Sequence, residues 1–342
     1  MTMTRRWTRL RTGTEGLEEG KSEDGISDSG FGSMKYPASR DVKYLPSANV
    51  KCSSDDERDI GFTGEERRMK QRFITGLLLS AFLAINLWLP NWCMALATLV
   101  CICFAIWEEY HALATAGHHV VSWPTWIIVG VSLPLTWLFG VKVIVPLLAA
   151  GLFMMITVIL FRKGQEPELT DLSMSALPLL TVALPGLSLV ALSLIPDQKA
   201  VEVVLLCLTF AVPLMGDIFA LYVGSAIGGP KFCPAVSPKK TIAGSIGGMA
   251  GSVIGAMAVY GLSVAFCDAP TLAKLPVWWH YLILGFLGGI AGQIGDLFAS
   301  LVKRHSGIKD FSNLFPGHGG MLDRLDSVLF MAVLMYCYLM FK

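Results

Sequence analysis

From Arg72 to the C-terminus the chain is a succession of apolar runs separated by short polar segments. A run of about 20 apolar residues, at about 1.5 Å rise per residue, spans a hydrocarbon core as a helix. The runs predict nine spans, at about 73–90, 91–110, 123–140, 142–161, 174–195, 201–226, 242–266, 277–302 and 325–341, the first two meeting in a tight turn at Pro90 and Asn91. Composition agrees, since 54% of the 342 residues are hydrophobic, only 15% are charged and the mean hydropathy is +0.58. Soluble domains of this length seldom combine those values. The sequence therefore predicts an all-α, polytopic integral membrane protein over residues 72–342.

The basic residues orient the spans. With the N-terminus cytoplasmic, the inner segments carry Arg67, Arg68, Lys70 and Arg72, then Arg162 and Lys163, then Lys231, Lys239 and Lys240, then Lys303, Arg304, Lys309 and Arg324. The outer segments carry only Lys142, Lys199, Lys274 and Lys342. The positive-inside rule then gives an N-in, C-out topology. Both large basic loops, 227–241 and 303–324, fall on the cytoplasmic face. The net charge of +1 gives no sign of a nucleic-acid partner, and none is expected.

Residues 1–71 are rich in Gly, Ser, Thr, Asp and Glu and show no sustained period, which predicts a disordered cytoplasmic tail. Its first 14 residues hold four Arg and no acid. That composition suits a basic arm beside an anionic membrane surface better than a transit peptide. With no apolar core, a cleaved secretory signal is not expected. The eight Cys are scattered without a CxxC pair, so they read as small core hydrophobes rather than a disulfide or zinc framework.

Two acids interrupt the apolar runs near their cytoplasmic ends, Asp217 in PLMGDIFALYVG and Asp296 in GGIAGQIGDLFASLVKR. A carboxylate within a span costs several kcal/mol unless it pairs with a base or binds a cation, so each is a functional candidate. Helical spacing puts Asp296, Ser300, Lys303 and Arg304 on one face, with Asp296 about 10 Å below the end of the span. The glycines of 244–255 and 285–295 recur at near-four-residue spacing, which suits close helix packing. The loop SPKKT, 237–241, offers a Ser-Pro turn and two Lys at the start of a helix, a weak phosphate-binding signal. PGHGG, 316–320, is a backbone-exposing turn with an imidazole, and Asp323 and Asp326 follow it with Arg324 between them. Carboxylates beside Lys and Arg suit Mg²⁺ holding a polyphosphate.

The run from Ser300 to Asp326 resembles the signature of the phosphatidate cytidylyltransferases, S-x-x-K-R-x4-K-D-x5-P-G-H-G-G-x2-D-R-x-D. Ser300, Lys303, Arg304, Lys309, Asp310, Pro316, Gly317, His318, Gly319, Gly320, Asp323, Arg324 and Asp326 fill its fixed positions. Upstream the resemblance includes Gly295-Asp296-Leu297, the SPKKT stretch and Gly216-Asp217; spans one to five agree only in hydropathy. Ala243 departs from the family, which commonly has Glu there.

The resemblance implies transfer of CMP from CTP to phosphatidate at the cytoplasmic face, giving CDP-diacylglycerol and pyrophosphate, with the catalytic part at about 200–327. It implies Asp296 and Asp323 as principal Mg²⁺ ligands, with Asp326 and Asp217 nearby. Two Mg²⁺ ions are expected, with a monovalent cation as a further candidate. Lys239, Lys240, Lys303, Arg304 and Arg324 would bind the triphosphate or the lipid phosphate. Ser237, Thr241, Ser300, Lys309, Asp310 and His318 would shape the substrate site, and Gly317, Gly319 and Gly320 would let the backbone approach it. The expected partners are CTP, phosphatidate and the bilayer, in a bacterial inner membrane, with a homodimer left open. Two other readings are a CTP-dependent kinase of a polyisoprenoid or similar lipid alcohol, and a transporter coupling an ion at Asp217 and Asp296. The lack of a visible inverted repeat counts against transport.

Overall fold

In a computed structural model the described residues are 74–341, apart from 90, 163–166, 196–198 and 316. The tail and the Pro90 side of the first turn lie outside them. Each of the nine apolar runs is helical among the described residues: α1 (Ile74–Trp88), α2 (Asn91–Thr115), α3 (Trp123–Phe139), α4 (Ile144–Leu160), a composite α5 (Leu169–Pro178) and α6 (Leu184–Leu192), α7 (Lys199–Ile227), α8 (Ile242–Phe266), α10 (Trp278–His305) and α11 (Leu322–Phe341). A short α9 (Ala269–Leu272) precedes α10. Seven of these segments are long and apolar enough to cross a membrane, whereas α1 and α3 are shorter.

Local chemistry explains most of the boundaries. Thr241 caps α8, its hydroxyl accepting from Gly244 N at 3.0 Å. Helix α10 ends in Lys303, Arg304 and His305, cations at the negative end of its dipole, and Gly307 then turns the chain with φ +67°. Between α5 and α6 the chain forms a π-helical stretch, Leu179–Ala183, flanked by Pro178 and Pro185. Proline lacks an N–H and breaks the regular ladder there.

Two predicted boundaries shift. Helix α2 continues past 110 to Thr115, and the fifth run begins at Leu169 rather than 174. The chain is also not purely helical. Between α7 and α8, β1 (Lys231–Cys233) and β2 (Ser237–Thr241) form an antiparallel hairpin, so the SPKKT stretch is a strand rather than an open loop. Gly228 and Gly229 release the chain from α7 with positive φ, which lets it double back.

The helices pack around two hydrophobic clusters. One joins α2 to α6 with the ends of α10 and α11, through residues such as Ile106, Leu179, Leu187 and Leu329. The other joins α6, α7, α8, α10 and α11, through Leu206, Val212, Tyr281 and Met335. Glycine sets the spacing of the second. A methyl at Gly247 would meet Val223, and one at Gly251 would meet Phe219, both on α7. Gly285 and Gly289 lie equally close to α8. The stripe is a packing surface, as its spacing predicted. The described Cys are all free; Cys337 is exposed and the others are half-buried, with Cys103, Cys207 and Cys267 packed against the hydrophobic clusters. Large outward-facing side chains such as Leu78, Phe153, Leu221 and Phe266 are ones a bilayer would solvate.

Candidate active site

Helix α7, the hairpin, the start of α8 and the middle of α10 enclose a cavity of about 460 Å³. Asp217 and Asp296 lie in its wall together with Lys231, Lys239, Lys240 and Thr241. Close packing of the glycine-rich helices brings their cytoplasm-predicted ends together, and the hairpin folds its lysines back over the opening. Lys240 Nζ forms an ion pair with Asp296, each side chain about 30% exposed, at 31% and 28%. Of the two possibilities for a carboxylate within a span, a basic partner and a cation site, Asp296 has the basic partner. Asp217 interacts electrostatically with Asp296, Lys240 and Arg324, the last reaching it from α11.

The signature loop forms the second half of the site. Residues 315–319 close a tight turn, in which Phe315 N donates to Gly319 O at 2.9 Å and His318 N to Phe315 O at 2.8 Å. Gly317 and Gly319 have φ of +78° and +83°, the left-handed region that favours glycine. Pro316 lies outside the described residues. Asp323, only 3% exposed, accepts from Lys303 Nζ at 2.7 Å, from Phe311 N at 2.9 Å and from Gly320 N at 3.0 Å. Asp326 interacts with Asp296, Lys303 and Asp217 and accepts from Ser327 N. Arg304 turns the other way, its Nε donating to Val236 O of the hairpin at 3.4 Å. The α10 face that carries Asp296, Lys303 and Arg304 thus touches both the hairpin and α11.

The predicted residues divide. Asp217, Lys239, Lys240, Thr241 and Asp296 line the cavity. Outside the cavity lining, Lys303 pairs with Asp323, Arg304 reaches the hairpin at Val236, Arg324 interacts electrostatically with Asp217, and Asp326 does so with Asp217 and Asp296. Ser237 and Ser300 are half-buried beside this region, Ser237 opening β2 and Ser300 on α10. Lys309 and Asp310 are exposed on the loop after α10 and do not line the cavity. His318 lies in the turn, not in the cavity wall.

The glycines have a different neighbour from the one expected. A Cβ at Gly319 would sit 2.9 Å from Asp323 Oδ2, and one at Gly320 would sit 2.5 Å from Glu108 Oε1. The space these two glycines leave is filled by carboxylates of the chain itself.

Sequence reasoning missed two groups. Gln293, one turn before Asp296, exchanges hydrogen bonds with Ser245: its Nε2 donates to Ser245 O at 2.9 Å, and it accepts from the Ser245 hydroxyl. The two residues tie α8 to α10 in the cavity wall. Glu108 and Glu109, both 1% exposed on α2, are the others. Glu109 accepts from Thr181 Oγ1 in the π-helical stretch at 2.8 Å, and Glu108 contacts the signature loop. The rule that singled out Asp217 and Asp296 applies to this pair, but ending the second span at 110 placed both at its edge.

Comparison with known proteins identifies the family. Residues 70–342 match the model of the cytidylyltransferase family. A phosphatidate cytidylyltransferase of Brucella abortus is 34% identical over 277 residues, covering 79% of this chain and 93% of that protein. The Bacillus subtilis enzyme of the same name is 40% identical over 121 residues, 35% of this chain and 41% of that protein. The Aquifex aeolicus one is 38% identical over 124 residues, 36% and 42% respectively. With the family model matched over residues 70–342 and the signature complete, the chain belongs to the cytidylyltransferase family of nucleotidyltransferases.

Proposed function

We propose that the chain transfers the cytidylyl group of CTP to phosphatidate, forming CDP-diacylglycerol and releasing pyrophosphate at the cytoplasmic face of a bacterial inner membrane. One observation carries this reading: lysines and carboxylates from α7, the hairpin and α10 meet at one cavity, at one end of helices long enough to span a bilayer. From α11, Arg324 interacts electrostatically with Asp217 of that cavity, and Asp326 with both of its aspartates. The names and coverage of the bacterial relatives support the substrates. The positive-inside distribution of Lys and Arg supports the N-in, nine-span topology and the cytoplasmic face.

The lipid stays in the bilayer, so its phosphate can reach only a site near the membrane boundary, while the nucleotide enters from water. A phosphate oxygen of phosphatidate attacks the α-phosphorus of CTP. A new P–O–P bond forms, the bond to the bridging β-phosphate oxygen breaks, and pyrophosphate leaves. Phosphoryl groups transfer in line and need charge neutralisation and alignment more than proton transfer. Lys239 and Lys240 on the hairpin, with Lys303, Arg304 and Arg324, supply cationic charge for the triphosphate and the lipid phosphate.

The donor set also suits Mg²⁺. Among the described residues no group of three or more His, Cys, Asp or Glu is arranged to enclose a metal, and the cavity acids are carboxylates alone. Mg²⁺ usually takes one or two protein carboxylates and completes its octahedron with phosphate and water. Asp296 and Asp323 would hold it, with Asp326 and Asp217 alongside, and it would neutralise the triphosphate.

The test is to follow label from CTP into lipid, with the full chain in detergent and phosphatidate as acceptor. Label at the α-phosphate should enter lipid and label at the γ-phosphate should leave as pyrophosphate. Label from the γ position in lipid would instead identify a lipid kinase.

A further inference from the structure

The carboxylate of Glu108 ties the first half of the helical core to the signature loop by hydrogen bonds. Glu108 lies on α2, outside the signature, and is 1% exposed. Its Oε1 accepts from Ser312 Oγ at 2.5 Å and from Met321 N at 2.9 Å, and its Oε2 accepts from Leu322 N at 2.7 Å. These partners are 204 to 214 residues away in sequence. Leu322 begins α11, so the carboxylate caps that helix from a different helix, at the positive end of its dipole. Among the described residues, none of the ion pairs involves Glu108; its charge is met by N–H, O–H and dipole alone. Gly320 is glycine because a side chain there would collide with this carboxylate.

Asp323 completes the arrangement. From the first turn of α11 it accepts from Phe311 N and Gly320 N, so residues 311–322 are held between two carboxylates. Helix α11 also carries Arg324 and Asp326, which interact with Asp217 and Asp296 across the site.

We propose that Glu108 is a positioning residue for nucleotidyl transfer: by capping α11 and tethering Ser312 it fixes where Asp323, Arg324 and Asp326 stand relative to Asp296. This rests on the function proposed above. Glu108 touches no substrate in this scheme and acts through α11.

The experiment compares the full-length wild type with Glu108→Gln, Glu108→Asp and Ser312→Ala in the same detergent. Glu108→Gln keeps the shape but puts an amide N–H₂ against backbone donors. It should lower kcat by about 10- to 100-fold, the range that a small misplacement of reacting groups produces. The KM for phosphatidate should change much less. Glu108→Asp, which retains the charge, should recover part of the loss, and Ser312→Ala, which removes one contact, should lose a few-fold in kcat. The amount of monodisperse folded protein is measured for each variant, and kcat is referred to it. The proposal is overturned if folded Glu108→Gln turns over at the wild-type rate. It is overturned equally if Glu108→Gln fails to fold and both of the other variants show wild-type kcat. A wild type that carries no α-label into lipid would refute the reading of function instead.

Discussion

The site contains two lysine–aspartate pairs, and they differ in what else grips the carboxylate. Asp296 meets Lys240 at the cavity wall, with both side chains open to solvent to a similar degree. Asp323 meets Lys303 in a nearly closed place and also accepts from two backbone N–H groups. An ion pair near solvent contributes little to stability, because water competes for both charges. A buried pair tied into backbone is costly to break, because its removal strands the partner charge and the donors. The first carboxylate is thus free to exchange partners during a reaction, and the second carries the shape of the loop in addition to the metal-holding role proposed for both. The same residue type, half-open at 296 and closed in at 323, thus bears a structural load in only one of the two places.

The largest expected effect tests the first pair. Asp296→Asn should reduce CDP-diacylglycerol formation by roughly 10²–10³-fold or more, the scale of losing one charge-stabilising group. Its thermal unfolding midpoint should stay near that of the wild type. A midpoint that falls sharply would place Asp296 with the architectural group.

Asp323→Ala should lose stability as well as activity. Its removal leaves Lys303, Phe311 N and Gly320 N without their acceptor, which should cost about 3 kcal/mol of stability. Calorimetric or fluorescence-detected unfolding in detergent would measure it, with Asp296→Ala expected to cost about 1 kcal/mol or less. Equal losses in the two variants would erase the distinction.

The smallest effect concerns the Ala243 position, where the family commonly carries Glu. The first turn of α8 has no acid, so Ala243→Glu should stabilise it by about 0.3–1 kcal/mol through the helix dipole. Activity should stay within about twofold of wild type. A drop beyond tenfold would mean that the new carboxylate draws Lys240 from Asp296.

Much of this was legible in the sequence, for physical reasons. Apolar runs report helices because a bilayer leaves the backbone few alternatives, and each of the nine runs is helical. Glycine spacing foretold close helix packing, though not its partners, because side-chain volume decides how closely two helices can approach. The two intramembrane acids pointed to the cavity because burial makes an unpaired charge costly. What stayed hidden was pairing at long range. Nothing local in residues 105–112 tells Glu108 that its partners lie at 312, 321 and 322. The hairpin was missed because five residues beginning Ser-Pro look like a turn until a second strand lies beside them. Gly320 was read as an approach for substrate because a glycine records only that space is needed, and not what fills it.

The clasp between α2 and the signature loop also bears on how such enzymes can be taken apart. The recognisable motif occupies residues 300–326, and the charged residues that line the cavity also follow residue 200. A gene fragment starting there would contain the whole signature and the cavity residues, yet it would lack the acid that holds α11 in register. Transplanting the motif onto another membrane scaffold would meet the same obstacle. The unit that could be inherited or engineered as a working whole is therefore the motif together with the distant helix that clasps it.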